Sequence, residues 1–173
     1  MGGSGELAIL HGVLGSTAEI QRTEGCQNAL KENPNVKVVA EETANWDETE
    51  AFKATQNILA AHPQLKAVFG ESDAMGLGAA KAAEQANRHD GMWFVGIDGF
   101  PTMFDGVKAG LTQATMAQQP YHMGEIAVDN AIQIMEGGAA LPAEQYQDTV
   151  LINKDTVDQN DVTKFYGPNA KSS

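Results

Sequence analysis

The chain is 173 residues long, 42% hydrophobic and 20% charged, values that suit one globular domain with a real core and exclude wholesale disorder. Its 11 basic against 23 acidic residues give a net charge of -12, which serves solubility and argues against a duplex-binding surface, since phosphate contacts need clustered Lys and Arg. The single cysteine, Cys26, excludes an internal disulfide and a cysteine-based metal site, and no run approaches the ~18 apolar residues of a membrane span.

The opening MGGSGELAIL lacks the basic and apolar segments of a secretory signal. Residues 1–5 read as a flexible start or linker, and the run at 6–10 as a first strand leading to His11, Gly12, Val13, Leu14 and Gly15. A helix follows over 17–31, opened by Ser16 and Glu19 as a capping box. Ala18, Cys26, Ala29 and Leu30 share one helical stripe, with Arg22 four residues from both Ala18 and Cys26. An arginine in an apolar stripe either points into a crevice as a fixed fork of donors or snorkels to water. The second strand, 36–40, leads to Asn45, Trp46 and Asp47, and Asp47 with Glu50 caps a helix over 48–61. In its polar NWDE setting Trp46 is a stacking plate or a core or capping tryptophan.

The third strand, 65–70, delivers Glu71, Ser72 and Asp73 into a helix over 73–87, with Asp73 as its cap or as a brace for a site. GLGAA at 76–80 lies inside that helix, where its glycines permit close packing. The fourth strand, 92–97, ends on Asp98 between Gly96 and Gly99. Asp98 faces a ligand or caps the helix over 101–109 that Pro101 opens. The fifth strand, 111–117, delivers Gln118 and Gln119, and Pro120 opens a helix over 120–136. Met123, Ile126, Ala127, Ala131 and Ile134 lie on one face of it, and Gly137 and Gly138 stop it. A weaker strand at 148–152 precedes a polar tail ending GPNAKSS, which is expected to fray.

Apolar runs alternating with helices predict an α/β fold: a doubly wound, mainly parallel sheet flanked by helices on both faces, in the manner of flavodoxin. In such sheets ligands bind at the carboxyl ends of the strands. That rim carries Arg22, Trp46, Ser72, Asp98 and Gln118, a set that suits a sugar, whose hydroxyls donate and accept and whose C–H faces stack on aromatic rings. There is no G-x-S-x-G elbow, P-loop or G-x-G-x-x-G after a strand, so an enzyme is not expected. His11, His62, His89 and His122 show no metal-ligand spacing, and neither a metal nor another cofactor is expected.

GVLGSTAEIQRTEG (12–25), NWDE (45–48), FGESDAMGLGA (69–79), VGIDG (95–99) and ATMAQQP (114–120) resemble, in order and spacing, segments of the type I periplasmic sugar-binding proteins, nearest the ribose-binding branch. The resemblance implies that Arg22 is the cleft arginine, Trp46 the stacking aromatic, Asp98 the hydroxyl-binding carboxylate, Gln118 the amide near the hinge and Val13 an apolar contact. Ser72 falls where ribose binders usually have asparagine, which together with Trp46 points away from ribose itself. Only the C-terminal lobe is matched: residues 6–118 as the sugar-binding lobe, 119–137 as a helix that packs on the N-terminal lobe, and 138–173 as a terminal strand and polar tail.

The implied ligand is a monosaccharide or polyol, bound weakly by one lobe alone, with an ABC permease as partner of the full-length parent. That parent is expected to be periplasmic or extracytoplasmic, with no nucleic-acid partner and no membrane insertion. The missing lobe and signal peptide point to an engineered linker at MGGSG, an internal start or a trimmed gene. The effector lobe of a LacI-type repressor shares the fold, and a scaffold fragment with a vestigial site is a further alternative. Uncovered, the apolar face of helix 120–136 is expected to fold back on its own sheet or to drive self-association.

Overall fold

Period-two alternation along the first strand, β1 (Gly5–His11), sends Ala8 and Leu10 to one side of the sheet and Leu7 and Ile9 to the other. The computed structural model describes residues 2–170. After β1 the order is α1 (Thr17–Glu32), β2 (Val36–Thr43), α2 (Glu48–Ala61), β3 (Leu65–Gly70), α3 (Asp73–Gln85), β4 (Trp93–Asp98), α4 (Pro101–Ala109), β5 (Ala114–Ala117), α5 (Pro120–Met135) and β6 (Val150–Asn153). A 3-10 turn, Val157–Gln159, and α6 (Thr163–Tyr166) complete the described chain. The six strands lie in the order β2-β1-β3-β4-β5-β6, parallel except for β6, which pairs antiparallel to β5. The predicted doubly wound architecture is therefore present, and the strand order reverses at β1 and β3, where a crevice forms.

One layer buries Ala8, Leu10, Val68 and Phe94 under Ile58 and Leu59 of α2 and Met75, Ala79 and Ala83 of α3. The glycines of GLGAA act as expected: a methyl on Gly76 would press on the Val95 carbonyl, and one on Gly78 would overlap the Glu48 carbonyl. On the other layer Cys26 and Leu30 of α1 cover Leu7, Ile9 and Ala67. Beyond α1 no helix covers that face among the described residues. Phe69, Val95, Ile97, Met116 and Leu151 floor an open groove of about 610 Å³ beside Cys26. Helices lie on both faces as expected, α1 on this one and α2 and α3 on the other, while α5 buries none of its residues.

Boundaries differ where backbone pairing outlasts or undercuts the apolar pattern. β2 runs on to Thr43 because Glu41, Glu42 and Thr43 still pair with β1. β5 starts only at Ala114, since the Leu111 and Thr112 amides turn back onto the Gly106 carbonyl at the end of α4. α3 stops at Gln85, with Asn87 left-handed at φ 54° and the Arg88 amide bonded to the Ala83 carbonyl. Ser16 and Asp47 do cap α1 and α2, accepting from the amides of Glu19 and Glu50, but the reciprocal arms go elsewhere. Glu19 accepts from the Gly15 amide and Glu50 from the Asn45 side chain.

The polar tail is more ordered than its composition suggests. Val157, Val162 and Phe165 are buried, and the Phe165 ring lies 5.8 Å from that of Phe104. Of the segment expected to fray, Gly167 is buried and Lys171–Ser173 lie outside the described residues.

Burial sets the energetics. Phe94 is fully enclosed whereas Ile134 of α5 is 64% exposed. In urea denaturation Phe94→Ala should cost about 3–5 kcal/mol and Ile134→Ala less than about 0.5 kcal/mol; equal losses would mean that α5 is packed against the core.

Candidate functional site

The crevice is built on a buried carboxylate. Glu71, just past β3, has no exposed surface, and its Oε2 accepts from the Gly12 amide at 2.9 Å. Its Oε1 accepts from the Thr23 hydroxyl at 2.5 Å and lies 3.1 Å from His11 Nδ1. His11 Nε2 reaches Glu41 on β2 at 3.0 Å. One side chain thus fixes the end of β1 and the first half of α1 relative to β3. The backbone carbonyl of the same residue accepts from Arg22 Nη1 at 2.5 Å. His11, Glu19 and Glu71 bring ligand-type atoms within 4.8 Å of one another, a grouping that sequence spacing did not reveal. Each of the three is already hydrogen-bonded to neighbouring protein groups.

Arg22 then spans the crevice. Its Nη2 donates to Asp98 Oδ1 at 3.2 Å, and its guanidinium carbon lies 5.4 Å from the centre of the Trp46 ring. Gln118 Nε2 donates to the same Asp98 oxygen at 2.9 Å, and the Asp73 amide approaches Asp98 Oδ2 at 3.4 Å. Burial pushes the Asp98 carboxyl above its ordinary range, against the pull of the Arg22 charge and the hydrogen bonds it accepts. Trp46 lies against the backbone of Gly12, where a methyl would overlap the indole, so that position requires a glycine. Trp46 and Asp98 both hold positive φ, 66° and 142°, which non-glycine residues rarely adopt. Such conformations persist where surrounding contacts over-determine them, and they concentrate at binding sites.

Of the residues singled out from sequence, Arg22, Trp46, Ser72 and Asp98 line one crevice of about 330 Å³, with Ser16, Ala18, Ala74 and Phe100. Gln118 joins them through Asp98. Val13 instead sits on the exposed loop after β1 and is not among the lining residues. Ser72 is the N-cap of α3, its hydroxyl accepting from the Met75 amide. Asp73 is therefore a brace, its Oδ2 accepting from the Gly99 and Phe100 amides at 2.7 Å each. Gly96 makes room for it, since a methyl there would lie 2.5 Å from Asp73 Oδ1. Asp98 does not cap α4, whose N-cap is Phe100. Gln119 turns away to the Asp148 carbonyl. The larger groove on the α1 face shares Ala18 and Arg22 with this crevice and is also lined by Gln118; the crevice, which gathers Trp46, Ser72 and Asp98 around Arg22, is the candidate site.

A periplasmic binding protein domain model matches residues 1–139. The D-allose-binding periplasmic protein of Escherichia coli is 30% identical over 155 residues, covering 90% of this chain and 50% of that protein. The ribose import binding protein of Salmonella typhimurium is 38% identical over 128 residues, covering 74% of this chain and 43% of that protein. The chain thus spans about half the length of the curated relatives it matches. A solved ABC transporter solute-binding protein from Actinobacillus succinogenes with bound D-allose superposes with a TM-score of 0.89 at 33% identity, over 92% of this chain and 55% of that one. Another from Bacillus halodurans, with bound myo-inositol, gives 0.86 at 29% identity, over 91% and 54%.

Asp73 supplies a pH test of its burial. Burial, with the neighbouring Asp98 charge adding to it, raises its pKa to about 6, and the hydrogen bonds it accepts offset this only in part. The folded value exceeds the unfolded one of ~3.9, so the protonated form favours folding. That stability is present below about pH 4 and is lost as pH rises through about 6. Relative to Asp73→Asn, the native chain should lose roughly 2–3 kcal/mol in urea midpoints between pH 4 and pH 7. A difference that does not change with pH would refute the assignment.

Proposed function

The chain belongs to the periplasmic binding protein family, a solute-binding transport family, and from that premise we propose that it is the C-terminal lobe of a sugar-binding protein serving an ABC importer. The ligand is a monosaccharide or related polyol held in the crevice of Arg22, Trp46, Ser72, Asp98 and Gln118. The observation that carries this reading is the Arg22–Asp98–Gln118 network beside the face of Trp46. Sugar hydroxyls can accept from the Arg22 and Gln118 donors and donate to Asp98, while the indole covers a C–H face. The matched proteins named for or solved with allose, ribose and myo-inositol support a polyhydroxylated ligand, and favour transport over a repressor's effector lobe. The site needs no cofactor, and the parent works in the periplasm with its permease.

A lobe alone offers one wall. In such a lobe by itself the crevice stays open to water, and affinity falls to the millimolar range, about 4 kcal/mol. Helix α5 exposes Met123, Ala127, Ala131 and Ile134 along the face they share with Ile126. That surface receives the N-terminal lobe of the parent, or a second copy when the lobe is alone.

Two measurements test this. Titration of D-allose, D-ribose, myo-inositol and other pentoses and hexoses, followed by NMR, should shift signals of Arg22, Trp46 and Asp98, and Asp98→Ala should abolish the response. Silence toward every sugar at high concentration would leave the crevice without this function. Sedimentation should show concentration-dependent association; a monomer at all concentrations would contradict an adhesive α5.

A further inference from the structure

The end of β4 is held from a direction the sugar reading does not use. Asp98 keeps its φ of 142° although it is not a glycine, and its carbonyl accepts two hydrogen bonds. One comes from the Gln118 amide at 3.0 Å, the neighbouring strand. The other comes from the Tyr166 hydroxyl at 3.1 Å, across 68 residues of chain. The Tyr166 ring also meets Phe100 edge-on, with centroids 6.2 Å apart and planes inclined by 64°. Phe100 lines the crevice, and its amide is fixed by Asp73.

Helix α6 can carry this contact because it is anchored on both sides. Phe165, 3% exposed, packs on Phe104 of α4. Gly167 lies so close to Tyr121 of α5 that a methyl would overlap the ring. The short C-terminal helix therefore touches the ligand-facing end of β4, the start of α4 and the departing α5.

We infer that Tyr166 is a positioning residue: its hydroxyl clamps the Asp98 carbonyl and its ring braces Phe100, so that the C-terminal segment sets the aim of the sugar-binding carboxylate. This rests on the sugar reading of the crevice, but its mechanical part stands apart from any ligand. Without the hydroxyl, the Asp98 carbonyl keeps only the Gln118 amide, and the strained peptide relaxes. The carboxylate then shifts relative to Arg22 on α1 and Asp73 on α3, the charged groups that face it.

Tyr166→Phe removes one oxygen and keeps the ring. The Asp98 carboxyl carbon, followed by NMR across a pH titration, should change both its shift and its midpoint, while circular dichroism and the melting temperature stay near those of the native chain. Affinity for whichever sugar the native chain takes should fall roughly fivefold, because the displaced carboxylate meets the sugar hydroxyls less well. Tyr146→Phe, at an exposed tyrosine, should change neither reading. An Asp98 titration and a sugar affinity identical to those of the native chain would overturn the inference. If the native chain binds no sugar, the functional reading fails while the Asp98 titration still decides the role of Tyr166. Should Tyr166→Phe unfold, the unmodified chain still gives an answer: the Tyr166 Cζ signal should follow the Asp98 midpoint, and a Cζ signal indifferent to that titration would overturn the clamp.

Discussion

Arg22 and Asp98 come from opposite sides of the strand switch, and their contact organises what surrounds it. Their side chains are only 16% and 14% exposed, so each gives up most of its hydration to form the pair. An ion pair placed like that gains little by itself, because the cost of removing two charges from water offsets the attraction. What makes it tenable is that neither charge depends on the other alone. Arg22 also holds the Glu71 carbonyl and faces the Trp46 ring, and Asp98 also accepts from Gln118. Removing either partner would leave a half-buried charge among groups arranged for it. The network therefore fixes α1, β3, β4 and β5 relative to one another before any ligand arrives, and a preformed site spares the ligand the cost of ordering it.

Much of this was legible in the sequence because it depends on local pattern. Apolar runs separated by helices gave the sheet, and the rule that ligands gather at strand ends led to Arg22, Trp46, Ser72, Asp98 and Gln118. The serine and aspartate caps at 16 and 47 were readable as well, though only their forward bonds were. Glu71 and Asp73 were visible as charges at a strand end, but their work was not. A buried carboxylate that accepts backbone amides owes its partners to strand register and helix placement, and no spacing encodes that. Asp73 looked like a cap because it begins a helix, yet Ser72 does the capping and frees Asp73 to hold the loop after β4.

Two further features lay beyond pattern for different reasons. The apolar face of α5 was plain in sequence, but what it covers depends on where the chain goes after β5, and periodicity says nothing about direction. Among the described residues, Val95, Ile97, Met116 and Leu151 line an open groove beside α1. α6 is only four residues long, too short for a helical repeat to register, and it is held by Phe165 and Tyr166 rather than by propensity. Val13 shows the converse: a position assigned through resemblance alone sits on an exposed loop outside the crevice.

The central claim is that a sugar stacks on Trp46 within reach of Asp98. The chain carries its own control in Trp93, which is exposed at the start of β4, the opposite end of the strand that ends on Asp98. An isotope-filtered NOE spectrum of labelled protein with unlabelled D-allose reads this contact directly. Cross-peaks from the sugar C–H protons to the Trp46 indole, with none to Trp93, are the predicted result. Cross-peaks to both indoles alike, or to Trp93 alone, would contradict it.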